Sequence, residues 1–254
     1  MRQLICLKTL SAYIVGEQEG FLLEEVGNLK LEGTLHIEHL ERVKSMTDAK
    51  KANLADKRLN ELELSWERNE QSQLQENEEK ILEALEPHAQ LKSLVARGYL
   101  GTQLPQWMIN PTRLSLWDMN HVQYIDEESY VDGVDRGFQA LEDLQLSRLQ
   151  SLVKLSREDA DSMFPRLSKL DITHCPQLNL PFLPSVTQLQ VTNGCSRALV
   201  GSIQNLPNLE RLDLNGDGKL TSFPEEMLVG LEHRKHLRFS GFADLKFSQL
   251  DAPT

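Results

Sequence analysis

Apolar and polar positions along this chain alternate on a recurring plan. The pattern L-x-x-L-x-L, with conservative swaps, reads at Leu7-Leu10-Ala12, Leu59-Leu62-Leu64, Leu91-Leu94-Ala96, Leu141-Leu144-Leu146, Leu167-Leu170-Ile172, Val186-Leu189-Val191 and Leu209-Leu212-Leu214. Weaker copies stand at Leu35-Ile37, Leu114-Leu116 and Leu237-Phe239. The x-L-x-L-x core of each copy has period two, so it predicts a short strand with its leucines on one side and the intervening residues on the other. Apolar residues return three and six positions beyond the last strand leucine, as in Leu40/Val43, Met119/Val122, Leu149/Leu152, Cys175/Leu178 and Phe242/Leu245. These turn the chain back over the stacked leucines.

With the middle apolar residue as origin, the copies lie at 10, 35, 62, 94, 114, 144, 170, 189, 212 and 237. Their mean spacing of about 25 residues falls within the period of leucine-rich repeats. No single unit can bury its apolar face, so the units must stack continuously. The expected fold is therefore α/β, a leucine-rich repeat solenoid (horseshoe) with a parallel concave sheet, irregular repeats and a few helical returns. Residues 1–254 read as a single domain of about ten units. Two returns read as helical. Thr47 to Leu62 places Ala49, Ala52, Leu54, Ala55, Leu59 and Leu62 at helix-like spacing, and Glu76 to Glu86 carries Ile81, Leu82 and Leu85 on one face before Pro87 stops it. Glu67 to Gln75 and the acidic, glycine-bearing stretch Glu127 to Gly137 read as excursions between repeats. Prolines after Leu104, Phe164, Leu180, Leu183, Leu206 and Phe223 exclude long helices from the other returns.

Composition supports this plan and narrows the function. Of 254 residues, 45 are leucine, and 40% are hydrophobic against 26% charged, a soluble globular balance. The formal net charge of −11 disfavours phosphate backbones and anionic membrane as partners. No apolar run approaches the length of about 18 residues that a membrane span needs. Cys6, Cys175 and Cys195 form no CxxC pair and leave an odd thiol. The lone Asn-x-Ser/Thr triplet, Asn110-Pro111-Thr112, is disqualified by its proline. Lys8 interrupts the apolar start, so a signal peptide is not expected. The chain reads as cytoplasmic, with reduced thiols. Its first strand begins almost at Met1, so Leu4, Leu7 and Leu10 would border an uncapped apolar edge.

Candidate chemistry is thin. Asp213-x-Asn215-x-Asp217-Gly218 imitates the start of an EF-hand loop, but Pro224 occupies the twelfth position, where a bidentate Glu is required. His36/His39 and His233/His236 are offset by three, which across a strand points each pair to opposite faces and argues against zinc. Gly218-Lys219-Leu220 lacks the Ser or Thr of a phosphate-binding loop, and neither a nucleophile elbow nor an H-E-x-x-H pair occurs. Cys175 sits at a turn position that favours a buried structural thiol. No enzyme activity, no cofactor, no metal and no small-molecule substrate are expected.

Several strings resemble a known family. Gly33-Thr34-Leu35-His36-Ile37-Glu38-His39-Leu40-Glu41-Arg42-Val43, Asp48-Ala49-Lys50-Lys51-Ala52-Asn53-Leu54, Leu62-Glu63-Leu64-Ser65-Trp66 and Leu104-Pro105-Gln106-Trp107-Met108 are similar to the repeat region of plant intracellular NB-LRR disease resistance proteins of the coiled-coil type. So are Leu82-Glu83-Ala84-Leu85-Glu86-Pro87-His88, Tyr124-Ile125-Asp126-Glu127-Glu128-Ser129-Tyr130 and Thr221-Ser222-Phe223-Pro224-Glu225-Glu226-Met227-Leu228. The resemblance covers nearly the whole chain but not the nucleotide-binding switch domain that such proteins carry ahead of the repeats, so ATP or ADP binding does not transfer. The 20-residue step from Leu94 to Leu114 is contracted relative to the family pattern.

What the resemblance implies is a recognition or autoregulatory module in plant defence. Its partner would be a protein: a pathogen effector, a host guardee or the nucleotide-binding switch domain. The alternative is a truncated scaffold with no dedicated ligand. The residues that must face outward between the strand leucines are the candidate contact set: Glu63, Ser65, Arg97, Trp117, Gln145, Asp171, Thr173, Gln190, Thr192, Asp213, Asn215 and Arg238. Trp117 is the most informative, since aromatics are enriched at interface hot spots, although packing against its sheet neighbours would equally explain it.

Overall fold

The computed structural model describes residues 6–67, 75–125, 137–156, 163–216, 218, 220–224, 227 and 235–242. Its strands are β1 (Ala12–Ile14), β2 (Glu32–Glu38), β3 (Arg58–Ser65), β4 (Ser93–Arg97), β5 (Arg113–Trp117), β6 (Asp143–Ser147), β7 (Lys169–Thr173), β8 (Gln188–Thr192), β9 (Arg211–Asn215) and β10 (His236–Ser240). They form one ten-stranded sheet in sequence order, and every neighbouring pair is parallel. This is the leucine-rich repeat solenoid that the period requires.

The register shows why the repeat is spaced as it is. Leu62, Leu94, Leu114, Leu144, Leu170, Leu189, Leu212 and Leu237 are Cα partners in one column, and Leu64, Ala96, Leu116, Leu146, Ile172, Val191, Leu214 and Phe239 in a second. From β3 to β9 both columns are buried. Each leucine taken from water contributes about 1.5–3 kcal/mol, and no unit could gather that alone. The return pairs complete the core: Leu40/Val43, Met119/Val122, Leu149/Leu152 and Cys175/Leu178 are all buried, while Phe242 is partly buried and Leu245 lies outside the described residues.

Most strands end in a sharp corner. The first residue after the strand is in the left-handed region at His39, Asp118, Arg148, His174 and Asn193, and at Gly98. Before the chain turns away, its N–H adds one more rung to the ladder, as in Gly98 to the Trp117 carbonyl, Asp118 to Ser147 and Arg148 to Thr173. At Gly98 only glycine fits, because φ is +78° and a Cβ would collide with the Trp66 carbonyl.

Two expectations need correction. The first unit is out of phase: Ala12 pairs with His36 and Tyr13 with Ile37, so Tyr13 and Val15 face the core, while Ala12 is exposed. Leu7 and Leu10 are half-buried against the core at the β1 end of the sheet, and Leu4 lies outside the described residues. The second is the helix read over Thr47–Leu62. Helix α1 covers only Met46–Lys50, capped by the Ser45 side chain accepting from the Asp48 N–H. Asn53 then turns left-handed (φ 48°), Leu54–Asp56 makes a single 3-10 turn, and from Arg58 onward the leucines belong to β3. The helix α2 (Gln75–Ala84) appears where the pattern placed it, close to the residues read as Glu76–Glu86. The excursion over 127–136 and most of that over 67–75 lie outside the described residues.

The contracted step leaves no gap. β4 and β5 pair directly in register, joined by a return in which Gln106–Ile109 forms one 3-10 turn behind Pro105. A short helix α3 (Arg197–Gly201), started by the Ser196 side chain capping the Leu199 N–H, was not expected from the sequence. No helix among the described residues is long and apolar enough to cross a membrane.

Candidate protein-interaction surface

Strand alternation puts every second residue on the open face of the sheet, so the candidate set falls into two straight columns. Glu63, Val95, Ser115, Gln145, Asp171, Gln190, Asp213 and Arg238 are successive register partners. Ser65, Arg97, Trp117, Ser147, Thr173, Thr192, Asn215 and Ser240 form the second column. All twelve candidates are on these columns, none fully buried. Sequence reasoning missed a third column, Glu61, Ser93, Arg113, Asp143, Lys169, Gln188, Arg211 and His236, which precedes the first strand leucine of each unit. The signal was present, since the residue before a core-facing position faces outward by the same period of two.

The face is cross-linked by charge. Arg97 Nη2 stands 3.8 Å from Glu63 Oε1, and His36 Nδ1 lies 3.6 Å from Glu63 Oε2. Arg113 reaches across β4 to Glu61 at 3.1 Å. Lys169 bridges Asp171 (2.8 Å) and Asp143 (3.5 Å), and the Asp171 hydrogen bond leads in holding its ammonium above the ordinary lysine pKa. Arg238 and Asp213 are 4.0 Å apart. Over the three columns from β3 to β10 five acids (Glu61, Glu63, Asp143, Asp171, Asp213) meet five bases (Arg97, Arg113, Lys169, Arg211, Arg238). The face is neutral although the chain carries −11, so the acidic excess resides elsewhere.

Trp117 is half-buried, and the Arg97 guanidinium stacks over its ring at 4.3 Å from the centroid. Its packing against a sheet neighbour is thus observed, while one side of the indole lines a hollow of ≈ 290 Å³ with Gln145, Ser147, Asp171, Thr173 and Gln190. Five of the twelve sequence-read residues meet in that hollow. Glu63, Ser65 and Arg97 lie to one side of it and Thr192, Asp213, Asn215 and Arg238 to the other. At its rim Arg148 donates to both carboxylate oxygens of Asp118, at 2.6 and 2.7 Å. Arg97 Nε and Asp143 Oδ1 are buried without a hydrogen-bond partner, so two polar atoms on this face are unsatisfied.

Cys175 is fully buried, and burial pushes its thiol up to about 11, the condition of an inert structural cysteine. Cys6, Cys175 and Cys195 are all free. In the EF-hand-like stretch Asp213 and Asn215 sit on β9, and Asp217 lies outside the described residues, as do Lys219 and His233.

Comparison with known proteins agrees with the geometry. The family described as R13L1/DRL21 LRRs matches residues 23–149. A putative disease resistance protein RGA4 of Solanum bulbocastanum is 34% identical over 90% of this chain and 26% of its own length. The disease resistance protein RGA2 of the same species is 34% identical over 96% of this chain and 26% of its own. A putative disease resistance RPP13-like protein 1 of Arabidopsis thaliana is 28% identical over 71% of this chain and 22% of its own. The chain thus spans about a quarter of the length of these relatives. With its repeats in register and half of its residues matched, the chain belongs to the R13L1/DRL21 leucine-rich-repeat family.

Proposed function

We propose that this chain is a protein-interaction module acting in plant defence, a single repeat domain over residues 1–254 that recognises its partner through the open sheet face. The observation that carries the reading is the hollow beside Trp117, where an aromatic wall, four amide or hydroxyl groups and one carboxylate converge on the strands. Aromatic anchors in partly desolvated pockets are what interface hot spots are made of. Because the face is charge-neutral and internally paired, the partner is held by shape and hydrogen bonding more than by a net field. A pathogen effector, a guarded host protein and a nucleotide-binding switch domain are the candidate partners, met in the cytoplasm. The module works by binding, not by catalysis.

The test places a photo-crosslinking residue at Gln145 on the open face or at Gln177 on a return, expressed in leaf tissue under pathogen challenge. Crosslinks to one protein from Gln145 and not from Gln177 are expected. Crosslinks confined to Gln177, or none from either site, would contradict the reading and favour a scaffold without a dedicated ligand.

A further inference from the structure

The corner after β2 and the chain leaving β3 bring together three groups from two neighbouring repeats. His39 occupies the left-handed corner position with its side chain 16% exposed, and Glu41 follows in the 3-10 turn at 14%. Glu67, two residues past β3, reaches over them with its carboxylate 73% exposed. His39 Nδ1 is 2.8 Å from Glu41 Oε1 and 3.6 Å from Glu67 Oε2, and one ligand atom from each residue lies within 4.8 Å of the others.

A tetrahedral zinc ion with bonds of about 2.0–2.1 Å requires ligand atoms about 3.3 Å apart. The two nitrogen–oxygen distances bracket that value. An imidazole with two carboxylates also differs from a solvated patch of acids, because the nitrogen selects a borderline transition ion over calcium or magnesium. The Glu67 N–H donates to Glu41 Oε2 at 2.9 Å, tying the β3 exit to the β2 corner and leaving Oε1 turned to the histidine. Opposing a cation here is Arg42, whose Nε is 3.6 Å from Glu41 Oε1 while its Nη1 donates to the Val15 carbonyl at 2.9 Å.

We propose that His39, Glu41 and Glu67 form a site for a divalent zinc ion with an open fourth position, stapling the ends of β2 and β3 at the rim of the sheet. This reading is independent of what the open face binds. The test titrates zinc chloride into the untagged chain by calorimetry, in a Cys6→Ser background that removes the exposed thiol. One site of micromolar affinity is expected, with His39→Asn and Glu67→Gln each weakening it at least about tenfold. Zinc at about a hundred times its Kd should raise the unfolding midpoint of the parent by about 5 °C and leave that of the His39→Asn chain unmoved. Asn keeps the left-handed corner accessible, and Glu67 is exposed, so neither substitution should unfold the chain. Affinity weaker than about 1 mM, affinity indifferent to both substitutions, or a preference for calcium over zinc would overturn the assignment.

Discussion

Lys57 offers a sharp test of how the returns are packed. It is 1% exposed, between the 3-10 turn Leu54–Asp56 and β3, and its ammonium donates to the Leu29 carbonyl (2.9 Å) and the Gly27 carbonyl (3.3 Å). Burial, only partly countered by the nearby Asp56, lowers its pKa from 10.5 to about 8. At about 1.4 kcal/mol per unit, the charged form is penalised in the fold by about 3 kcal/mol. The sign follows from proton counting. Below pH 8 both states hold the proton and the fold bears the penalty, whereas between pH 8 and 10.5 the folded chain has released it and the unfolded chain has not. Stability therefore rises with pH across that window. From pH 7 to 9.5 the gain is about 2 kcal/mol. Above pH 10 the buried Tyr13, raised to about 12 by desolvation and by Glu25, works the other way, because the unfolded tyrosine ionises first. Lys57→Met keeps the aliphatic stem but removes the titration. It also deprives two carbonyls of a donor, which costs about 1–3 kcal/mol each and offsets the relief of the buried charge at pH 7. The discriminating readout is the difference in slope: between pH 7 and 9.5 the buried Cys175, pushed up to about 11, costs both chains about 1 kcal/mol because the unfolded thiol ionises first, so urea unfolding should show the variant falling by that much and the parent still gaining about 1 kcal/mol. A parent that gains nothing relative to the variant over this window would refute the argument.

Other substitutions separate core, corner and surface. Leu144→Ala in the leucine column should cost about 3 kcal/mol in urea unfolding, while Gln145→Ala beside it on the open face should stay within about 0.5 kcal/mol. Gly98→Ala should cost more than about 2 kcal/mol, since it meets both a positive φ and the Trp66 carbonyl, and a loss below about 0.5 kcal/mol would mean that the corner relaxes freely. Arg148→Ala breaks the bidentate pair with Asp118, yet the exposed guanidinium limits the loss to about 1 kcal/mol, and 1 M salt should shrink it further.

Strand alternation made nearly all of the sheet legible, because a leucine displaced by one residue would leave the core altogether. It misled at β1, where Leu7 and Leu10 copy the motif spacing while Tyr13 and Val15 carry the burial. It misled again at Thr47–Leu62, where helix-spaced alanines run directly into a strand whose leucines continue the same apolar sequence, and only the backbone at Asn53 separates the two. The open-face columns followed from the same period, including the one left out. The His39–Glu41–Glu67 cluster did not, because it joins a corner to a strand exit 28 residues on, and no local pattern encodes that contact.

The central claim, that the open face beside Trp117 is the recognition surface, is tested most directly by titrating the crosslinked partner against two variants of equal thermal stability. One carries Trp117→Ala with Gln145→Arg on the open face, and the other carries Gln177→Arg with Asn208→Arg on the returns. The open-face variant should lose at least about 30-fold in affinity, the scale of a single hot spot, and the return variant less than about twofold. Equal losses, or a loss confined to the return variant, would contradict it.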